Sequence, residues 1–91
     1  ILDTRAGLGA PAGMVPASGF VDVQVRGRGG MPASGASAVV LNVTATEAAR
    51  GGYVQALPGG SAQFGQWSNL NLTHGGQTIA NLAVVPLDAD G

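Results

Sequence analysis

Ninety-one residues with no cysteine, 10% charged side chains and a net charge of −1 describe one small domain that is held together by packing alone. A chain of this size buries roughly 60–65% of its extended surface; no disulfide supplements that burial, and cysteine-based structural zinc is excluded. Four arginines and no lysine form no basic stripe, which argues against a nucleic-acid partner.

The chain opens on an apolar pair, Ile1-Leu2, followed by Asp3-Thr4-Arg5, and residues 7–19 form a loop dense in glycine and proline. Phe20 to Arg26 alternates, with Val21, Val23 and Val25 facing one way and Asp22, Gln24 and Arg26 the other, which predicts a strand. Gly27 to Gly30 and Pro32 to Gly35 turn the chain.

The segment 37–46 carries the clearest pattern. Val39, Leu41, Val43 and Ala45 share one face, and Ala38, Val40, Asn42, Thr44 and Thr46 share the other. Period-2 alternation in β-branched residues is the signature of a strand with two different faces. Residues 46–50 have helix-forming composition but are too few to exceed a turn.

Gly51-Gly52 leads into a short strand over 53–57, and Pro58-Gly59-Gly60 turns again. Residues 61–68 form a loop holding Gln63, Phe64, Gln66 and Trp67, with Tyr53 on the strand before it. Residues 68–73 alternate with Leu70 and Leu72 inward. After Gly75-Gly76, residues 78–87 are apolar on both faces: Ile79, Ala83 and Val85 on one, Ala80, Leu82 and Val84 on the other. Such a strand belongs at a sheet centre or between layers, with partners on both sides. Pro86 marks its end or an edge.

Short strands separated by glycine turns specify an all-β fold, a small sandwich or barrel-like module. Asp88-Ala89-Asp90-Gly91 reads as a hairpin turn whose return strand lies beyond the sequence. The expectation is one unit of a longer chain, completed by strands from a neighbouring repeat or a second copy.

Six ordered motifs support a resemblance. They are Leu2-Asp-Thr-Arg5, the Gly-Leu-Gly-Ala-Pro-Ala-Gly stretch at 7–13, Val25-Arg-Gly-Arg-Gly-Gly30, the strand 38–46, Ser68-Asn-Leu-Asn-Leu72 and Ala80-Asn-Leu-Ala-Val-Val-Pro86. This series resembles the "LLDTR" repeat module of secreted and surface proteins from actinobacteria, over the whole chain. The resemblance implies an all-β, non-catalytic, extracellular or cell-surface module, found singly or in tandem beside hydrolase or peptidoglycan-processing domains. Units of that kind continue past the Asp-Gly turn into further strands ending near a Val-Gly-Tyr motif. Related modules on phage virions are a second setting the resemblance suggests.

Several residues are candidates for chemistry. Asp3 with Arg5 reads either as an exposed acid with an activating arginine or as a structural staple. In the second reading the guanidinium bridges backbone carbonyls and a carboxylate. His74 is the single histidine. No nucleophile elbow and no paired acid–base spacing accompanies it, so no catalytic residue is assigned and the chain is read as a non-enzyme. Asp88 and Asp90 supply only the first half of a calcium loop, so no metal site and no cofactor are expected. Asn42-Val-Thr44 and Asn71-Leu-Thr73 fit the glycosylation sequon but lie in predicted strands.

Asn42, Asn69, Asn71 and Asn81 each interrupt an apolar pattern. A buried amide must be hydrogen-bonded, so these four, with Asp3 and Arg5, are expected to form an internal polar network. Asn42→Ala is then expected to cost about 1–3 kcal/mol through unpaired neighbours. Tyr53, Gln63, Phe64, Gln66 and Trp67 form the remaining cluster. Aromatic faces beside amides stack on and hydrogen-bond to sugars, and aromatic residues also anchor protein interfaces.

Low charge favours packing against like surfaces, because little must be desolvated. The leading expectation is a structural or assembly module whose partners are copies of itself or adjacent domains. A carbohydrate or cell-wall binding module is the alternative, and a decoration or fibre module of a phage virion a second one. No apolar run approaches the roughly 18 residues of a membrane-spanning helix, so membrane insertion is not expected.

Overall fold

The structure is a computed structural model that describes residues 1–91. It contains no helix and four strands: β1 (Ala38–Ala45), β2 (Gly52–Val54), β3 (Leu70–Leu72) and β4 (Ile79–Pro86). They form two antiparallel two-stranded sheets, β1 with β4 and β2 with β3, so that the shorter sheet is nested within the connection of the longer. The fold is a small all-β one, as the spacing of glycine turns predicts.

The longer sheet follows from its residues. Val39 lies opposite Val85, Leu41 opposite Ala83 and Val43 opposite Asn81. On the inner face of this ladder Val39, Ala83 and Val85 are buried together with Val25. Val23, Met31, Leu41, Val43, Ala56 and Leu87 pack around them. β-branched residues in directly opposed pairs are the unit of sheet stabilisation, and the period-2 reading of 37–46 predicts this inner set.

Leu70, at 2% exposure, anchors the shorter sheet. Only five of 91 residues are buried, and the radius of gyration is 13.2 Å against about 12 Å for a compact domain of this length. The chain's own core is therefore thin.

Four predicted elements are corrected. Residues 20–26 form no strand. Val25 is buried and Val23 half-buried, so the alternation does mark a core-facing side. But the backbone pairs with no ladder; Val25 and Arg26 instead donate to the Gly91 carbonyl at 2.7 and 3.1 Å. Alternation reports which side faces the core, whereas a strand also needs a partner edge. The short strands are trimmed to 52–54 and 70–72. Residues 79–86 pair with β1 on one side only, and Leu82 and Val84 lie exposed. This strand is not buried on both faces within the chain.

The non-regular segments are tied by specific bonds. Arg26 donates from Nε to the Ala36 carbonyl (2.8 Å) and from Nη1 to the Ala89 carbonyl (2.9 Å), joining three segments. The opening loop is closed by a reciprocal pair, Asp3 N–H to the Leu8 carbonyl at 2.9 Å and Leu8 N–H to the Asp3 carbonyl at 3.0 Å. Gly9 follows it at φ +71°, where a Cβ would overlap the Ile1 carbonyl oxygen. A side chain there is excluded by space as well as by backbone conformation.

Candidate functional site

Two surfaces stand out: a shallow aromatic cleft and the outer face of the longer sheet. The cleft starts from β2, where Tyr53 lies opposite Asn71 of β3 and points away from the core. The loop that follows is folded by one amide. Gln55 donates from Nε2 to the Gln63 carbonyl (2.9 Å) and accepts at Oε1 from the Gly65 N–H (2.9 Å). A side-chain amide that satisfies both a donor and an acceptor substitutes for a ladder pair.

Gly65 at φ +78° completes the turn. Tyr53, Gly65, Trp67, Ser68 and Asn71 then enclose a depression of about 260 Å³. Ser68 Oγ lies 2.9 Å from Asn71 Oδ1 and donates to it, which leaves the Asn71 amide N–H groups as donors without a partner in the chain. Trp67 is 38% exposed, so it is neither a core plug nor a free side chain. The arrangement offers two aromatic faces and polar atoms in one concavity.

The other residues expected in this cluster are elsewhere. Phe64 pairs with Phe20, ring centroids 6.3 Å apart and tilted by 48°. Phe20 in turn borders a separate apolar depression of about 390 Å³ lined by Pro11, Met14, Val15, Pro16 and Val21. The Gln63 and Gln66 side chains make no hydrogen bond; Gln63 contributes its backbone carbonyl to Gln55. Gln55 and Ser68 are the residues that sequence reasoning missed. Their signal is weak, because a loop-organising glutamine resembles any other.

The asparagine network is corrected as well. No polar side chain is buried. Asn69 forms a real node: its N–H donates to the Val54 carbonyl (2.8 Å) and its Oδ1 accepts from Ala56 N–H (2.7 Å). Its carbonyl accepts from Asn81 Nδ2 (2.9 Å), so Asn69 and Asn81 tie the two sheets together. Asn71 serves the cleft. Asn42 is exposed and its side chain makes no hydrogen bond, because its face of β1 is turned to solvent.

Asp3 and Arg5 join each other alone: Arg5 donates from Nε to Oδ1 at 3.0 Å and from Nη2 to Oδ2 at 2.9 Å, and its N–H donates to Oδ1 at 2.9 Å. These hydrogen bonds lower the Asp3 carboxyl from 3.8 to about 2 and raise the Arg5 guanidinium. Arg5 reaches no backbone carbonyl, so the bridging staple expected of it is made by Arg26. His74 is exposed, with Nδ1 2.8 Å from the Gly75 carbonyl.

The second surface is the outer face of β1 and β4. Val40 lies opposite Val84 and Asn42 opposite Leu82. Val40, Leu82 and Val84 are 62%, 65% and 68% exposed. Neither strand contains a charged residue. No helix is long and apolar enough to cross a membrane. No family model matches the chain, and no curated protein or solved structure is similar to it.

Proposed function

We propose that this chain is a non-catalytic, extracellular structural module that assembles by packing against copies of itself. The observation that carries the proposal is the uncharged outer face of the β1–β4 sheet, where Val40, Leu82 and Val84 are each more than half exposed. Val40 and Val84 are opposed and Leu82 lies two residues from Val84 on the same face, so the three form a contiguous patch, and such patches mark interaction sites. A thin internal core supports the same reading, because burial between copies adds to what the chain buries alone. Covering that face with strands of a neighbour completes a small sandwich or barrel-like fold. The resemblance to actinobacterial surface modules supports an extracellular setting, and the same packing suits a decoration or fibre module of a phage virion.

Sedimentation over a range of concentrations tests the proposal. Self-association is expected in the wild-type chain and its loss in Val84→Glu, which places a charge on the face without touching the inner core. A chain that sediments as a monomer throughout overturns the proposal.

The aromatic cleft favours a second reading, a carbohydrate or cell-wall binding module. Tyr53 and Trp67 beside the Asn71 amide provide a stacking face and donors of the kind sugars take up. Glycan-array binding that disappears in Trp67→Ala, with the fold intact, is the outcome that supports it; absence of binding in the wild type removes it.

A further inference from the structure

The two edges of the longer sheet are not alike, and the difference identifies how copies meet. In an antiparallel pair, residues alternate between exchanging hydrogen bonds and turning their N–H and C=O groups outward. The bond from Leu87 N–H to the Ser37 carbonyl (2.8 Å) sets the phase. Odd-numbered residues of β1 therefore face β4, and Ala38, Val40, Asn42 and Thr44 present their backbone groups on the free side. None of these four takes part in any of the backbone bonds outside the strands.

The free edge of β4 is guarded by comparison. Asn81 Oδ1 accepts from the Leu82 N–H (3.0 Å), and Asn81 Nδ2 holds the Asn69 carbonyl (2.9 Å) against the same edge. Pro86 offers no N–H at all. β1 has none of these devices: no proline, no charge, no side-chain cap. An edge of eight residues without protection is a template for strand addition.

The geometry points to β1 as the site where a second copy adds, antiparallel to the first, with Asn42 opposite Asn42 of that copy on the two-fold axis. This inference rests on the assembly proposed above and adds to the packing of outer faces a second contact, along the β1 edge. A two-fold axis normal to the sheet maps the row of outward N–H and C=O groups onto itself, donors against acceptors. No charge on β1 or β4 repels the copy. The register is set by the amide. Pairing centred on Leu41 places each Asn42 against Val40, leaving an amide unmatched beside an apolar side chain, which is costly where packing of the outer faces excludes water.

Centring on Asn42 lets each side-chain carbonyl accept from the other's amide, as a copy provides by symmetry. The product is a four-stranded sheet in the order β4–β1–β1–β4. Guarded β4 edges lie at both ends, so edge pairing stops at two chains. Asn42, unpartnered within one chain, acquires its partner here.

The chain has no cysteine, so single-cysteine variants read the contact directly. Residues opposed in a bonded pair sit about 5.5 Å apart at Cα, within the range of about 4.4–6.8 Å that a disulfide spans. Under mild oxidation a mixture of Val40→Cys and Thr44→Cys chains, which keep Asn42 and face each other in this register, is expected to form covalent heterodimer at least tenfold faster than Val40→Cys or Leu82→Cys alone forms homodimer. Copies of Leu82 lie three strand spacings apart, about 14 Å. In sedimentation, Asn42→Lys is expected to weaken dimerisation at least tenfold, because two like charges meet on the axis. Circular dichroism unchanged in these variants verifies the fold, which the exposed side chains they replace do not support.

Cross-linking fastest in Val40→Cys or Leu82→Cys alone, with association intact, overturns edge pairing and leaves assembly through the apolar face standing. So does association unaffected by Asn42→Lys. A wild-type chain that is monomeric, with no variant cross-linking, overturns both.

Discussion

Val84 and Val85 are adjacent residues of one strand with the same side chain, yet the first is 68% exposed and the second 6%. The inner face of the longer sheet is satisfied within the chain, by Val25, Val39 and Ala83 around Val85. The outer face holds residues of equal hydrophobicity with nothing against them. Side-chain chemistry therefore does not separate the faces; the supply of partners does. An apolar face that one copy leaves bare is the feature an assembling module requires, and on a solitary domain it is an aggregation liability.

The largest contrast is expected from truncating the two valines. Val85→Ala is expected to destabilise the chain by about 2 kcal/mol, from lost burial and the cavity left in a thin core. Val84→Ala is expected to stay within about 0.5 kcal/mol at concentrations where the chain is monomeric, and to weaken self-association. Urea midpoints at low concentration read the first effect and sedimentation the second. Equal losses of stability in the two variants would mean that the faces are energetically alike.

The asparagines sharpen the same comparison at a smaller scale. Asn69→Ala strips the Ala56 N–H of a partly buried acceptor at 2.7 Å, and is expected to cost about 1–2 kcal/mol in urea unfolding. Asn42→Ala, on the open face, is expected to cost no more than about 0.5 kcal/mol in the monomer. A large monomer loss in Asn42→Ala would restore the internal role expected of this residue from its neighbours in sequence.

How much was legible follows from these residues. Strand β1 and its inner face were readable at 37–46, because one period-2 pattern reports both the strand and its two sides. That 79–86 is apolar on both faces was equally plain. Whether the second face meets this chain or another was not, since hydrophobicity names a requirement and no partner. The asparagines failed for a related reason. Asn42 and Asn69 sit in similar local patterns, but the partners of Asn69, Ala56 and Asn81, lie 13 and 12 residues away.

Arg5 and Arg26 show the same limit. Arg5 advertises its bond through an acid two residues before it. Arg26 binds carbonyls of Ala36 and Ala89, and alanine carbonyls leave no mark in a sequence. In the cleft, Tyr53 and Trp67 were visible as aromatics, while the Gln55 amide that sets the loop became visible only through its partners.

The smallest effect is expected at an exposed site that, unlike the outer sheet face, is satisfied within one chain. Arg5 holds the Asp3 carboxyl at about 2, below its ordinary 3.8, so the folded state favours the ionised form. Because the folded value is the lower one, the stabilisation is present in full above the unfolded pKa and disappears as pH falls toward about 2. Asp3→Asn keeps an oxygen for the Arg5 N–H while removing the charge. The stability difference between wild type and Asp3→Asn is expected to be constant from pH 7 to about 5 and to shrink below pH 4. Screening by salt is expected to shrink it at neutral pH also, since both side chains are open to solvent. A difference that is independent of pH would assign the Asp3 effect to loop geometry instead of charge. Self-association is expected to be identical in the two chains: the pair lies off the β1–β4 sheet, and exposure alone, where partners are already in place, creates no demand for a second copy.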